Sequence, residues 1–231
     1  MIEILRAGPL TTVQDLGRPG LAHLGVGRAG AADRPSLRLA NRLVGNPEGA
    51  AALEVTLGGL ALRVDEPTVL AVTGALCPVE VDGRPAEGYA VLRLPAGARL
   101  ELGPAAHGIR AYVAVRGGLD LPRVLGSRAT DLRSGLGPER VRDGDRLPVG
   151  PDRPDIPAVD IVPLPAPLAE PLLRVRLGPR DDWFDRAAAT ALTSAPYAVL
   201  PDSDRVGVRL RGPLLTRLDT RELLSEGMVE G

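Results

Sequence analysis

The sequence has no lysine, so all 28 of its basic residues are arginine. Walker A loops and protein kinases need a lysine beside the nucleotide phosphates, and Schiff-base and pyridoxal-phosphate enzymes need an amine. A biotin carrier also needs a lysine, to which the cofactor is attached. The chain therefore belongs to none of these classes, and positive charge at any site must come from arginine.

Cysteine and histidine are scarce, with Cys77, His23 and His107 the only examples. A single cysteine cannot form an internal disulfide, and metal-binding motifs built on closely spaced pairs of cysteines or histidines cannot occur in this sequence. We therefore expect no metal site. Cys77 is expected to be a small buried hydrophobic residue and His107 a surface or turn residue. The role of His23 stays open because it lies near the polar loop 14–18.

The sequence also lacks long apolar runs and an excess of either charge. No run reaches the length of a membrane span or forms a signal-peptide core at the N-terminus, so we expect a cytoplasmic protein without membrane contact. Arginines are interleaved with acids at a net charge of −1, and aromatic residues number only five. This pattern argues against a nucleic-acid partner.

Glycine and proline are abundant, with 28 and 23 residues spread along the chain. Such frequent breakers favour short strands and turns, which predicts a mainly β fold. The predicted strands are 60–64, 69–73, 79–81, 90–94, 99–102 and 109–115, with tight turns at Asp82-Gly83 and Asp143-Gly144.

Two helices are predicted. The first covers 35–44, with Asp33 near its N-terminus and Pro35 in its first turn. The second covers 182–192, where an acidic start and an alanine-rich continuation favour a helix.

A proline-dense tract at 151–171 predicts an extended, semi-rigid spacer. It separates a first unit at 1–150 from a second unit at 172–231. At about 60 residues, the second unit is marginal for an independent core.

The letters of the dinucleotide fingerprint GxGxxG occur at 25–30. That fingerprint requires a hydrophobic strand directly before its first glycine, and only Leu21–Leu24 stands there, after a Pro-Gly pair. The context favours a tight glycine turn. A loop whose backbone N–H groups bind an anion at the start of the following helix remains open.

Several polar segments have no obvious structural role, and they place arginines, acids and amides among glycines. In order along the chain, these and neighbouring segments are TTVQDLGRPG (11–20), GVGRAGAAD (25–33), ANRLVGN (40–46), LEVTLGG (53–59), AVTGA (71–75), AYVAVRGGLDLPRVLGSRATDL (111–132), GDRLPVG (144–150), LGPRDDWF (177–184), SDRVGVRLRGP (203–213) and ELLSEGMVEG (222–231). Taken together, they resemble the family of the 5-oxoprolinase C subunit. That family is related to allophanate hydrolase subunit 2, to the carboxyltransferase half of urea carboxylase and to the antagonist of a sporulation-kinase inhibitor.

The resemblance implies two cyclophilin-like β-barrel domains with a few short helices. It also implies partner subunits A and B, a cyclic amide substrate, and ATP-dependent opening of 5-oxoproline to L-glutamate, with this chain inactive alone. ATP would be bound here or with a partner subunit. Family members continue beyond the SEGMVEG-like segment with motifs that complete the second barrel, so we expect that barrel to be incomplete here.

Two alternative functions stay open. In the carboxyltransferase branch, the fold would transfer a carboxyl group from carboxybiotin on a separate carrier to urea. In the regulatory branch, the chain would bind a kinase-inhibitor-like B subunit without turnover.

Opening a lactam with ATP requires positive charge and groups that move protons. The resemblance does not assign individual roles, which we infer from residue chemistry. The expected catalytic residues are Asp33, Glu54, Arg116, Arg128 and Asp131. The expected substrate-binding residues are Gln14, Asp15, Arg18, Asn41, Thr56, Gly117, Gly118 and Ser127.

Overall fold

The computed structural model describes residues 1–151, 159–164, 166, 173–205, 207–222 and 224. Two compact units make up the chain, Met1–Pro167 and Leu168–Gly231. Most of the predicted spacer 151–171 and the motif at 225–231 lie outside the described residues. The spacer therefore stays a prediction.

The described part is mainly β, which confirms the predicted fold class. Its strands are β1 (Ile2–Arg6), β2 (Leu10–Gln14), β3 (Ala52–Thr56), β4 (Ala61–Val64), β5 (Thr68–Leu76), β6 (Val79–Val81), β7 (Arg84–Ala86), β8 (Val91–Leu94), β9 (Arg99–Leu102), β10 (His107–Val115), β11 (Arg146–Leu147), β12 (Ala198–Val199) and β13 (Leu210–Arg211). Its helices are α1 (Arg34–Leu43) and α2 (Arg186–Ser194), with short 3₁₀ turns at Ala22–Leu24 and Asp181–Trp183.

The first unit is built from two antiparallel sheets. Six strands pair in the order β11-β1-β4-β9-β6-β7, and five pair in the order β2-β3-β10-β5-β8. The two sheets share one apolar core, in which Ile4 and Leu62 of the first sheet are packed with Leu53 and Val113 of the second. Period-2 alternation along each strand buries these side chains on one face.

The opposite face of the five-stranded sheet is covered by α1. Leu37, Ala40 and Leu43 of the helix pack on Ala71 and Ala114 of the sheet in a second buried cluster. The five-stranded sheet is therefore buried on both faces, and any polar side chain that faces α1 must find a partner there.

Helix α1 begins one residue before its predicted start and ends one residue before its predicted end. The Asp33 carboxylate accepts a hydrogen bond from the Ser36 N–H, and a proline lies in the first turn, both of which favour a helix N-terminus. Helix α2 begins at Arg186, later than predicted, because Asp185 caps it through the Ala188 N–H and the residues before it form a 3₁₀ turn.

The second unit has one two-stranded sheet, β12-β13, among its described residues. The Trp183 ring lies 5.2 Å from the Arg217 guanidinium and 5.8 Å from that of Arg221. Among the residues of this unit that the structure describes, Ala188 is the one buried apolar residue.

No helix within the described residues is long and apolar enough to cross a membrane.

Candidate functional site

Four polar side chains form a row across the helix-facing side of the five-stranded sheet. Thr12 of β2 pairs with Glu54 of β3, Glu54 pairs with Tyr112 of β10, and Tyr112 pairs with Thr73 of β5. All four are buried. We call Thr12, Glu54, Tyr112 and Thr73 the polar row. A buried row of this kind is costly unless its groups are hydrogen-bonded, so its partners are informative.

Glu54 is the charged member of the row and is 3% exposed. Its Oε2 accepts hydrogen bonds from the Tyr112 hydroxyl at 2.8 Å and the Ala32 N–H at 2.9 Å. Its Oε1 lies 3.6 Å from Nε of Arg110. The carboxylate thus holds the segment before α1, the centre of β10 and a cation in one place.

The N-terminus of α1 is attached to the same row. The Asp33 N–H donates to the Tyr112 hydroxyl at 2.7 Å, and the Thr73 hydroxyl donates to the Ser36 carbonyl at 2.7 Å. The Asp33 carboxylate also accepts the Ser36 hydroxyl at 2.6 Å. Asp33 and Glu54, far apart in sequence, are therefore joined through Tyr112.

Burial and the negative charge of Glu54 raise the pKa of Tyr112 well above its ordinary value. The nearby Tyr89 exchanges hydrogen bonds with the backbone of Gly74, at 2.7 and 3.0 Å. Burial also raises the pKa of Tyr89. Both hydroxyls therefore stay protonated at neutral pH and can donate hydrogen bonds.

A second group of expected site residues holds three loops together. The Asp15 carboxylate accepts the Gly17 N–H at 2.7 Å, the Ser127 hydroxyl at 2.6 Å and the Arg128 N–H at 2.7 Å. The Arg128 guanidinium binds the Leu121 carbonyl and the Asp120 carboxylate. These contacts join the loop after β2 to the loop at 120–129.

Arg18 is 2% exposed and also serves the loops, since it donates to the Val124 and Ala129 carbonyls at 2.9 and 2.6 Å. The positive charge of Arg18 also acts on the Asp131 carboxylate. Burial acts to raise the pKa of Asp131, but hydrogen bonds from Ser134 and Arg133 outweigh it, and together with Arg18 they leave the pKa below its usual value.

Gln14 lies beside the same loops. Its amide donates to the Thr12 hydroxyl and the Thr130 carbonyl, both at 3.0 Å. Gln14 Oε1 and Arg18 Nη1 are buried without a hydrogen-bond partner among the described residues.

A third group lies at the C-terminal end of α1, about 15 Å along the helix from Asp33. Asn41 donates to the Ala50 carbonyl at 2.8 Å, and Asn46 joins Asn41 to the Gly117 N–H. Arg116 donates to the Val44 carbonyl at 3.1 Å.

Arg116 also lines a cavity of about 740 Å³ at the end of the two sheets, together with residues from β1, β5 and β8. Gly118 is next to Gly117 and, like it, has positive φ.

The expected residues thus fall into three groups. Asp33 and Glu54 meet at the polar row, with Thr56 next to it on β3. Gln14, Asp15, Arg18, Ser127, Arg128 and Asp131 belong to the loop group, and Asn41, Arg116, Gly117 and Gly118 to the far end of α1. The loop group contacts the polar row through the hydrogen bond from Gln14 to Thr12, and the third group lies at the far end of α1.

Sequence reasoning missed Tyr112, Arg110, Ser36 and Tyr89. The scarcity of tyrosine was a usable signal, because a tyrosine inside a predicted strand on a helix-covered face needs a hydrogen-bond partner. Arg110 is in the same strand and carried no separate signal.

The glycine-rich segment 25–30 follows a 3₁₀ turn instead of a strand. Gly17 packs against it so closely that a Cβ at position 17 would lie 2.3 Å from the Arg28 carbonyl oxygen.

Cys77 is half-buried, and desolvation raises the pKa of its thiol. His23 and His107 are exposed. Within the described ranges, no group of three or more His, Cys, Asp or Glu side chains is arranged to hold a metal ion.

Comparisons with known proteins give the family. A family model described as carboxyltransferase domain, subdomain A and B, matches residues 24–231. The 5-oxoprolinase C subunit of Escherichia coli (strain K12) is 42% identical over 234 residues, which span 100% of this chain and 75% of that protein. Its counterpart in Haemophilus influenzae is 33% identical over the same shares.

Among solved structures, the K. lactis urea amidolyase superimposes with a TM-score of 0.80 at 32% identity, over 94% of this chain and 14% of that chain. These matches confirm the resemblance found in the sequence motifs, and the chain belongs to the carboxyltransferase domain family, subdomains A and B, together with the C subunit of 5-oxoprolinase.

Proposed function

We propose that this chain is the C subunit of an ATP-dependent 5-oxoprolinase that opens 5-oxoproline to L-glutamate. The observation that carries the proposal is the 42% identity to the E. coli 5-oxoprolinase C subunit along the whole chain. The active enzyme is a cytoplasmic complex with subunits A and B, and this chain is inactive alone.

The chemistry explains why ATP is required. A lactam resists water, but its amide oxygen can attack the γ-phosphorus of ATP as the bond to ADP breaks. Water then adds to the activated carbon, the C–N bond breaks, and the nitrogen takes a proton, which leaves an acyl phosphate. A second water releases phosphate and glutamate. Each water must lose a proton to a base, and the phosphoryl group needs positive charge.

The polar row and the N-terminus of α1 are the part of this chain that best fits proton transfer. Asp33 is half-buried, so its carboxylate is the one of the pair that can contact a substrate. Glu54 is buried and holds the Ala32 N–H and Tyr112, which makes it a positioning residue. Thr56 lies on the same face of β3, two residues beyond Glu54.

The loop group fits a different role from the one expected for it. Arg18 and Arg128 donate to backbone carbonyls, and the Asp15 carboxylate joins two loops. These contacts support a role in shaping the site. Arg116 lines a cavity and remains a candidate to bind phosphate or carboxylate.

The test is glutamate release from 5-oxoproline and ATP by this chain mixed with subunits A and B. We expect glutamate only when all three proteins are present. Omitting this chain is the first control, and Asp33→Asn is the second. Asp33→Asn keeps an oxygen that can cap α1 but removes the base, so turnover should fall at least 10-fold. Glutamate release without this chain would disprove the proposal.

Carboxyl transfer in a biotin-dependent urea carboxylase is the second candidate. It is favoured by the likeness to the K. lactis urea amidolyase. Because the chain has no lysine, carboxybiotin would have to arrive on a separate carrier. Turnover that depends on bicarbonate and a biotinylated carrier would establish this function. Tight binding to a protein that resembles the B subunit, without any turnover, would instead indicate the regulatory role.

A further inference from the structure

We propose that Arg110 binds the carboxylate of the cyclic amide substrate. The inference rests on the proposed function and extends it by assigning the group that distinguishes 5-oxoproline from a lactam without an acid. Arg110 was not among the residues expected from the sequence.

Arg110 lies at the border between the buried polar row and solvent. It pairs with Thr56 of β3 and is two residues before Tyr112, so it is on the same helix-facing side of the sheet as Glu54. Its side chain is 20% exposed, compared with 3% for Glu54. Arg110 is therefore a cation at this border that a small ligand can reach.

A bulge accompanies this position. His107 of β10 pairs with Leu76 of β5, but Ala111 pairs with Gly74, so the register shifts between the two pairs. Gly108, inside the bulge, has φ of +78°. Bulges of this kind re-aim side chains and are frequent next to active sites.

The hydrogen-bonding capacity of Arg110 is only partly used. Nε faces Glu54 Oε1 at 3.6 Å, while Nη1 is buried without a hydrogen-bond partner among the described residues. A buried donor left without a partner costs free energy. Since Nη1 is covered here, binding must include a small rotation of the guanidinium toward the exposed rim. A carboxylate there would supply the missing acceptor, and the guanidinium fork suits it.

Four other arginines of the first unit have partners away from the polar row. Arg18 and Arg128 donate to backbone carbonyls within the loop group. Arg63 and Arg99 pair with carboxylates on the six-stranded sheet. Arg110 combines partial burial, an unused donor and closeness to Glu54 and the N-terminal segment of α1.

The reaction does not alter the substrate carboxylate, so contact with it contributes equally to the ground state and the transition state. Loss of such uniform binding raises KM and leaves kcat almost unchanged. A positioning or purely structural role for Arg110 would lower kcat instead.

The experiment uses the assembled complex with subunits A and B and compares Arg110→Ala, Arg110→Lys and the matched control Arg63→Ala, which removes an arginine from strand β4. Steady-state glutamate release gives KM and kcat. Ligand-observed NMR gives the affinity for 5-oxoproline and for 2-pyrrolidinone, the same lactam without the carboxylate.

We expect Arg110→Ala to weaken 5-oxoproline binding about 10- to 100-fold, the usual loss for hydrogen bonds to a charged group, with little effect on 2-pyrrolidinone. Arg110→Lys should recover part of the affinity, and Arg63→Ala should match the wild type. The proposal would be overturned if Arg110→Ala weakened binding of both lactams equally, or weakened binding of neither. The NMR result decides it even if the wild-type complex releases no glutamate, an outcome that would refute the proposed function separately. Failure of the wild-type complex to bind 5-oxoproline would refute both.

Discussion

The Tyr112 hydroxyl lies 2.8 Å from Glu54 Oε2, and this contact joins the centre of the five-stranded sheet to the segment that begins α1. The same hydroxyl accepts the Asp33 N–H at 2.7 Å. One phenol therefore uses both its donor and its acceptor capacity in a buried place. It fixes a carboxylate on β3 and the backbone before α1 relative to each other, which is how two residues with no sequence proximity come to share a site.

Tyr112 should make stability fall at alkaline pH. Its pKa is raised in the folded chain by burial and by Glu54, so above about pH 10 the unfolded chain releases a phenolic proton that the folded chain keeps. The stabilisation is complete below pH 10. It is lost as pH rises, by about 1.4 kcal/mol per pH unit for each such tyrosine.

Tyr112→Phe should remove the contribution of one phenolic proton from the slope of unfolding free energy against pH. It should also lower the free energy of unfolding at neutral pH by about 1 to 3 kcal/mol, because the Asp33 N–H and Glu54 each lose a hydrogen-bond partner. Urea unfolding from pH 8 to 11 measures both effects. Because the chain has no lysine, no lysine titration contributes to the pH dependence in this range. Tyr89→Phe should likewise remove the contribution of the Tyr89 hydroxyl to this slope. A Tyr112→Phe chain with the wild-type slope would contradict the assignment.

Glu54→Gln should reduce glutamate release by the complex about 10-fold or more. The neutral amide no longer balances the charge of Arg110, and it accepts weaker hydrogen bonds from the Ala32 N–H and the Tyr112 hydroxyl than the carboxylate does. Glu101→Gln is the matched control: Glu101 is on β9 and pairs with Arg6 and Arg99 at the surface. Activity within about twofold of wild type for Glu54→Gln, with an unchanged Tm, would remove Glu54 from the site.

Asp15→Asn should loosen the loop group. One carboxylate oxygen becomes an NH₂ group that cannot accept the N–H of Gly17 or of Arg128, so we expect a loss of about 2 to 3 kcal/mol and faster hydrogen exchange at those amides. Asp65→Asn is the surface control, since its ion pair with Arg146 is partly exposed. Equal stability changes in the two variants would show that the Asp15 contacts are not structural.

Two glycines with the same backbone preference should respond differently to alanine. Gly17 and Gly25 both have positive φ, but a Cβ at Gly17 would lie 2.3 Å from the Arg28 carbonyl oxygen, whereas a Cβ at Gly25 would meet nothing within 4 Å. Gly25→Ala should cost about 1 to 2 kcal/mol from its backbone conformation alone. Gly17→Ala should cost clearly more, as thermal unfolding will show, because two backbone segments must separate. Similar Tm values would mean that the segments separate easily.

Local elements were predictable where the signal is local. The strands Val79–Val81 and Arg99–Leu102 have the predicted bounds, and α1 is within one residue of its prediction. Asp33, a proline and a 3.6-residue apolar period are enough to define that helix. The start of α2 was missed because an acidic 3₁₀ turn before Asp185 has the same composition as a helix N-terminus.

The residue types of the candidate site were also predictable, but their grouping was not. Asp33 and Glu54 were expected together with Arg18, Arg116 and Arg128, yet the structure puts these arginines in other places. The sequence does not predict that Tyr112 lies opposite both Glu54 and Thr73, because strand register is decided by pairing between distant segments.

The sequence by itself determined that positive charge here comes from arginine, that the chain is mainly β, and that one capped helix follows a glycine-rich segment. These are consequences of composition and of interactions within a few residues. Only the tertiary structure decided that Glu54, Tyr112 and Asp33 meet and that Arg110 stands at their border. The physical reason is that covering one sheet face with α1 buries polar groups, and those groups then had to find partners across four strands.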